Sequence, residues 1–202
     1  MKKRHQAVFI ILIATITLPV VGQETIQFPA LKKQIDSLMI VDQRVQQDFI
    51  NGDQAQRLDL ERIEKETFIR HTVLLKIILE KYGFPNFDKV GKEASNNYWL
   101  CVQHSDHDLK FQEEVLRLMR IEVKNKKADP TNFAFLTDRV NLNSGKSQIY
   151  GTQVTYKDRT AIPKDLKDPK TVNKRRTAVG LGPIEEYLNM MTELHRQMNP
   201  QN

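Results

Sequence analysis

Three short polar segments of this chain carry side chains that could perform acid–base chemistry or bind a polar ligand. They span residues 103–108, 136–140 and 148–153. The first contains His104, which can gain or lose a proton near neutral pH. The second contains Asp138 beside Arg139, whose planar guanidinium is suited to gripping an anion. We therefore predict that His104 acts as a general base or nucleophile and that Asp138 orients it.

The third polar segment has the composition of a ligand-pocket wall. Gln148, Tyr150 and Gln153 supply hydrogen-bond donors and acceptors. Gly151 lies inside a strand-like pattern, which indicates a bulge or a close approach of the backbone to another group. We predict that these four residues bind substrate together with Arg139. An exposed hairpin face would favour the same residue types, so that explanation stays open.

Two histidines in the first segment raise the question of a metal site. His104 and His107 are accompanied by carboxylates, a combination that zinc and manganese sites use. Helix ends explain the same residues: Ser105 with Asp108 matches a capping box, and Asp106 suits the positive N-terminus of a helix. The sequence has no HExxH-type spacing that would support a metal. We therefore predict no metal and no other cofactor.

Length and composition indicate one soluble domain. The chain has 202 residues, of which 40% are apolar, and 31 basic against 25 acidic side chains give a formal charge of +6. Its single cysteine, Cys101, excludes an internal disulfide, and its apolar neighbours predict a buried thiol. The basic stretch 164–176 is interrupted by Asp165 and Asp168 and lacks interleaved aromatic residues. We therefore predict no binding to nucleic acid.

The first 22 residues have the pattern of a secretory signal peptide. Three basic residues at positions 2–4 precede the apolar stretch 7–21, and small residues suit cleavage before Gln23. An uncleaved anchor is the alternative, but it normally needs about 20 apolar residues. We expect residues 1–22 to be removed and 23–202 to form the exported domain, periplasmic or secreted, with no stable membrane anchor.

Apolar periodicity predicts a mainly α-helical domain of about six to seven helices with one small β-hairpin. The hairpin is predicted within residues 148–162, where Ile, Tyr, Thr and Val are frequent and residues 157–158 resemble a turn. The helices are predicted from the spacing of apolar residues and from their start and stop signals. They fall at about residues 31–49, 55–82, 91–104, 105–123, 130–142, 168–179 and 184–196.

In combination, these motifs resemble the bacterial domain-of-unknown-function 6624 family. The resemblance rests on QHSD at 103–106 with Phe111-Gln112, on LTDRV at 136–140, and on YGTQ at 150–153 preceded by Gly145 and Gln148. Asp42-Gln43, Tyr82-Gly83, Arg176 with VGL at 179–181, and Tyr187 also fit it. It covers about residues 31–190, and it implies no activity. On this resemblance we add Asp42 and Gln112 to the predicted substrate-binding residues, whereas His107 does not fit the pattern.

Three functional hypotheses follow from the sequence. The first is an exported hydrolase or transferase acting on a small polar or anionic substrate through a His/Asp/Arg cluster. The second is a non-catalytic ligand-binding or interaction module of the cell envelope. The third is a structural network in which the same residues only stabilise the fold. No serine elbow, phosphate loop or catalytic-cysteine signature defines the reaction.

Overall fold

A computed structural model describes residues 26–199, so the predicted signal peptide at residues 1–22 lies outside the described residues. The described part contains seven α-helices and one two-stranded antiparallel sheet, which confirms the predicted fold class. None of these helices is both long enough and apolar enough to cross a membrane.

The seven helices lie close to their predicted positions. They are α1 Pro29–Asn51, α2 Arg57–Tyr82, α3 Phe87–Gln103, α4 Leu109–Lys124, α5 Pro130–Asn143, α6 Val172–Thr177 and α7 Ile184–Met198. The strands are β1 Val154–Lys157 and β2 Thr160–Pro163, and a 3-10 turn, Pro169–Thr171, precedes α6.

Helices α1, α2 and α3 pack against one another, and α4 packs on α5. The buried positions of α1 show why this arrangement matters for function. Leu31, Ile35 and Leu38 follow the helical spacing of a stripe that faces the core, and Asp42 is the next buried position along the same face. The pattern that folds α1 therefore carries a carboxylate into the interior, between α1 and its two neighbours.

The connection between α3 and α4 differs from the predicted capping box. Asp108 is the N-cap of α4, and its carboxylate accepts a hydrogen bond from the Phe111 backbone N–H at 3.1 Å. Ser105 is buried instead, and its hydroxyl lies 2.8 Å from the Thr72 hydroxyl on α2. A tight turn after α3 delays the start of α4 by three residues, because Asp108 N–H bonds back to the Ser105 carbonyl. His104 is left at the C-terminal end of α3.

The predicted hairpin is present but shorter than its sequence pattern suggested. Its register pairs Val154 with Pro163 and Lys157 with Thr160. The two turn residues, Asp158 and Arg159, both have positive φ angles, as a two-residue hairpin turn of type I′ requires. Residues 148–153 precede β1 and form a loop rather than a strand. The hairpin packs on α7 through β2.

Gly151 allows the backbone to approach another group closely, as predicted, and that group is the Ile184 side chain. The glycine lies in a loop and is not a strand bulge. Its φ is +69°, and an added Cβ would lie 2.5 Å from Ile184 Cδ1. Gly145 offers a matched control, because its φ is +73° and no described atom lies within 4 Å of the equivalent Cβ. We expect Gly145→Ala to lower the free energy of unfolding by about 1–2 kcal/mol through backbone strain. We expect Gly151→Ala to cost about 1–3 kcal/mol more, because buried Ile184 must move.

Urea-induced unfolding of both glycine variants and the unchanged protein measures this difference. Equal losses in the two variants would show that the contact with Ile184 adds nothing to the backbone strain.

Candidate functional site

The clearest candidate for chemistry is a hydrogen-bonded pair formed by His104 and Asp42. His104 Nδ1 lies 2.9 Å from the carboxylate of Asp42, whose side chain is fully buried. Gln46 follows Asp42 by one helical turn, and its Nε2 lies 3.2 Å from His104 Nε2. Phe68 of α2 stacks on the imidazole ring, with ring centroids 4.7 Å apart. Helices α1 and α2 thus fix both the position and the orientation of this histidine.

The electrostatics of the pair determine the tautomer of His104. Burial alone would raise the pKa of Asp42, but the hydrogen bond from His104 and the proximity of the His71 ring together outweigh burial and hold the pKa below its ordinary value. Asp42 is therefore a carboxylate, which can only accept hydrogen bonds. His104 donates from Nδ1–H, and its Nε2 lone pair accepts from the Gln46 amide. This is the tautomer of a histidine that can take up a proton at Nε2.

His104 lies in the wall of a cavity of about 360 Å³ between the ends of α1, α2 and α3. The cavity holds another titratable group, Glu64. Burial raises the pKa of this carboxyl against the opposing influence of His104, and the nearby Asp42 adds to the increase. No serine, threonine or cysteine occurs among the described residues that line the cavity, so its walls offer no hydroxyl or thiol nucleophile. The lining residues are Gln46, Glu61, Glu64, Lys65, Phe68, His104, Asp106, His107 and Arg139.

Arg139 forms a bidentate ion pair with Asp106, and the pair separates the His104 cavity from a second one. Arg139 Nε lies 2.7 Å from Asp106 Oδ1, and Nη2 lies 2.5 Å from Oδ2. Burial alone would raise the pKa of Asp106, but Arg139 outweighs it and holds that pKa below its ordinary value. The second cavity, of about 410 Å³, is lined by Asp106, Arg139, Leu142, Asn143, Gln153 and Lys164. Because both cavities share the ion pair, they adjoin each other.

Gln112 positions this ion pair from the interior. Its side chain is fully buried, and its Nε2 donates to the Val102 carbonyl at 3.1 Å and to Asp106 Oδ1 at 3.2 Å. Asn143 Nδ2 also donates to Asp106 Oδ1, at 2.9 Å. Gln112 was predicted to bind substrate, but the structure makes it a support of Asp106.

Asp138 does not occupy the position predicted for it. Its buried carboxylate accepts hydrogen bonds from the backbone N–H groups of Ile149 at 2.6 Å, Tyr150 at 3.0 Å and Thr152 at 2.9 Å. The Thr152 hydroxyl adds a fourth at 3.0 Å. Within the described residues it makes no hydrogen bond to His104. The predicted role of Asp138 as the orienter of His104 is therefore corrected: Asp138 organises a loop, and Asp42 holds the histidine.

Most of the third polar segment also has a structural role. Gln148 is fully buried, and its side chain accepts from Gln153 N–H at 3.0 Å and donates to the Gln153 carbonyl at 2.8 Å, closing the loop on itself. The Tyr150 carbonyl accepts from Nη1 of the buried Arg176 at 2.8 Å. Gly151 packs against Ile184. Of the four residues predicted to bind substrate here, Gln153 lines the second cavity, Gln148 and Gly151 hold the loop in place, and Tyr150 does so through its backbone.

Two residues that were not predicted as site residues lie close to Asp42 on the side away from the His104 cavity. His71 of α2 is buried, and its Nδ1 lies 3.8 Å from Asp42 Oδ2. Cys101 of α3 is buried, as predicted, and burial beside Asp42 raises the pKa of its thiol well above the ordinary value. The ligand atoms of Asp42, His71 and Cys101 all lie within 4.8 Å of one another. The available signal was His71 itself, a histidine four residues before the buried Leu75 on the apolar face of α2.

Taken together, the fold and the site define a small helical domain with a polar, two-part cleft. The family model described as "Family of unknown function (DUF6624)" matches residues 29–197, and the chain belongs to this family. No curated protein and no solved structure matches the chain. The family brings no established activity with it.

Proposed function

We propose that this protein is an exported enzyme, a hydrolase or transferase, that acts on a small polar or anionic substrate through His104. The observation that carries the proposal is the 2.9 Å hydrogen bond between His104 Nδ1 and the buried Asp42 carboxylate. A base that is oriented by a carboxylate and placed in a cavity wall is the arrangement used for proton transfer in many hydrolytic sites. In this proposal Asp42 takes the orienting role.

The proton-transfer step follows from the tautomer. His104 Nε2 removes a proton from water or from a substrate hydroxyl, and the resulting imidazolium is stabilised by the adjacent Asp42 charge. In the free protein the Gln46 amide donates to the Nε2 lone pair. The water or substrate hydroxyl that gives up its proton would take the place of this amide. The cavity wall offers no side-chain hydroxyl or thiol among its described residues, which favours water or a substrate hydroxyl as the attacking group.

The second cavity is suited to the anionic part of the substrate. Arg139 and Lys164 line it together with one carboxylate, Asp106, so the local balance of charge is positive. The Gln153 amide lies in the same wall and can donate a hydrogen bond, whereas the Asn143 amide already donates to Asp106 and Gln112. An anionic group held there would leave the adjoining part of the substrate in the His104 cavity, on the other side of the Asp106–Arg139 pair.

A non-catalytic binding module is the second candidate, and one observation favours it. The Arg139 guanidinium is already held in a bidentate fashion by Asp106, and Gln112 and Asn143 support that carboxylate. Such a preformed polar wall is what ligand recognition without chemistry requires. In both proposals the partner is a small ligand and no nucleic acid is bound. The basic N-terminal residues and the apolar stretch at 7–21 support export to the periplasm or the medium.

A thermal-shift screen followed by a turnover assay tests the proposal. Phosphorylated, carboxylated and sugar compounds are added to the unchanged protein, to His104→Ala and to His195→Ala, whose histidine lies on α7 away from the cleft. A ligand of the cleft raises the melting temperature by mass action in the unchanged protein and in the control. We expect the His104→Ala variant to turn over the same compound about 10²–10⁴-fold more slowly.

The outcomes separate the candidates. Binding that depends on His104 without turnover of any hit supports the binding module. Hits whose shift and turnover are unchanged in His104→Ala would place the site away from His104 and overturn the enzyme proposal.

A further inference from the structure

We propose that Asp42, His71 and Cys101 form a buried binding site for a divalent transition-metal ion of the Zn²⁺ type. This inference concerns the side of Asp42 away from the cleft, and it does not depend on His104 being catalytic. Each ligand comes from a different helix, since Asp42 lies on α1, His71 on α2 and Cys101 on α3.

The distances fit a metal centre that needs little rearrangement. The carboxylate oxygen, the imidazole nitrogen and the thiol sulfur all lie within 4.8 Å of one another. Zinc binds nitrogen and oxygen at about 2.0–2.2 Å and sulfur at about 2.3 Å, so the ligand atoms around one ion lie roughly 3–4 Å apart. Side-chain rotations that draw the three atoms together by about 1 Å would place them around a common ion.

The imidazole of His71 supplies an independent indication of a missing ligand. The residue is 6% exposed, and its Nδ1 has no hydrogen-bond partner among the described residues. Its nearest candidate, Asp42 Oδ2, lies at 3.8 Å, beyond hydrogen-bonding distance. Unpaired buried polar atoms are rare because they lose their bonds to water without replacement. A cation between His71 and Asp42 would satisfy this nitrogen.

The combination of ligands selects the kind of ion. One thiolate and one imidazole suit zinc and related transition metals, whereas Mg²⁺ and Ca²⁺ prefer oxygen ligands throughout. On binding, the Cys101 S–H bond breaks, its proton leaves to solvent, and a sulfur–metal bond forms. The thiolate and the Asp42 carboxylate then balance the two charges of the ion in a buried environment. Asp42 has enough lone pairs to keep its hydrogen bond to His104.

Cobalt substitution provides a direct test with the full exported chain. The protein is treated with a chelator, dialysed and titrated with Co²⁺ alone, and then Zn²⁺ is added in competition. Because Cys101 is the sole cysteine, a thiolate-to-cobalt charge-transfer absorption reports this site and no other. We expect one equivalent of Co²⁺ to produce the absorption and Zn²⁺ to abolish it. We also expect a hundredfold excess of Zn²⁺ over its Kd to raise the melting temperature by roughly 5–10 °C.

Three variants locate the ion. We expect Cys101→Ser to abolish the charge-transfer absorption and His71→Asn to weaken metal binding by at least about 100-fold. His107→Asn, which removes an exposed histidine of the cleft wall and none of the three ligands, is the matched control and should bind the metal like the unchanged protein. Absence of the charge-transfer absorption in the unchanged protein would overturn the proposal, and that result does not depend on whether any variant folds. Metal binding that is unchanged in both Cys101→Ser and His71→Asn would overturn it as well.

Discussion

Replacing Asp138 with alanine is expected to lower the free energy of unfolding by roughly 3–5 kcal/mol, because several buried donors lose their acceptor at once. The carboxylate is fully buried and receives hydrogen bonds from three backbone N–H groups and one hydroxyl between Ile149 and Thr152. These donors lie 11 to 14 residues further along the chain, so their bonds to Asp138 tie a separate segment to α5.

Chemical denaturation measures the size of this effect, and amide hydrogen exchange shows where it acts. Faster exchange is expected first in residues 144–198, the part of the chain that Asp138 attaches to α5. Asp165→Ala is the matched control, because that exposed carboxylate accepts one hydrogen bond from the Ser147 hydroxyl in the same segment. A loss below about 1 kcal/mol for Asp138→Ala would mean that water replaces the carboxylate and that the loop does not depend on it.

The second large effect is expected from Asp42→Asn, which should reduce turnover by about 10²–10⁴-fold if His104 is the catalytic base. Asparagine has nearly the same shape as aspartate, but its amide can donate a hydrogen bond to His104 Nδ1. The imidazole proton would then reside on Nε2, the nitrogen that has to accept a proton. The neutral amide would also provide no charge to stabilise the imidazolium.

Steady-state kinetics on the substrate found in the ligand screen measure this effect. Asp48→Asn removes the same charge from an exposed position on the same helix and should leave turnover unchanged. Equal binding of the ligand to the unchanged protein and to Asp42→Asn, with a loss confined to kcat, would locate the effect in the chemical step. Full activity in Asp42→Asn would contradict the assignment of His104 as an oriented base.

The secondary structure could be predicted from the sequence because its causes are local. The apolar stripe of α1 and the glycine that ends α2 lie within the elements they determine. The limits of local reasoning appear in α3. The predicted third helix began at Gly91, but α3 starts at Phe87, and Gly91 bends it with a φ of +80°.

The partners of the polar residues could not be predicted because they depend on packing between distant segments. Asp42 and His104 are 62 residues apart, and Asp106 and Arg139 are 33 apart. Asp138 was predicted to orient a base because it stands beside Arg139 in a polar segment of the sequence. In the structure its partners are backbone N–H groups. Which acid meets His104 is decided by how α1 packs on α3.

The two walls of the cleft differ in how many buried apolar side chains stabilise them. The main hydrophobic cluster extends from Leu31 to Val140. Beyond it, the buried apolar side chains among the described residues are Ala161, Val172 and Ile184. Residues 144–198 therefore bury few apolar side chains of their own, and their attachment to the bundle depends on a small number of buried polar bonds such as those of Asp138. We expect the wall that carries Gln153 and Lys164 to open more readily than the wall that carries His104, which the hydrophobic bundle holds in place.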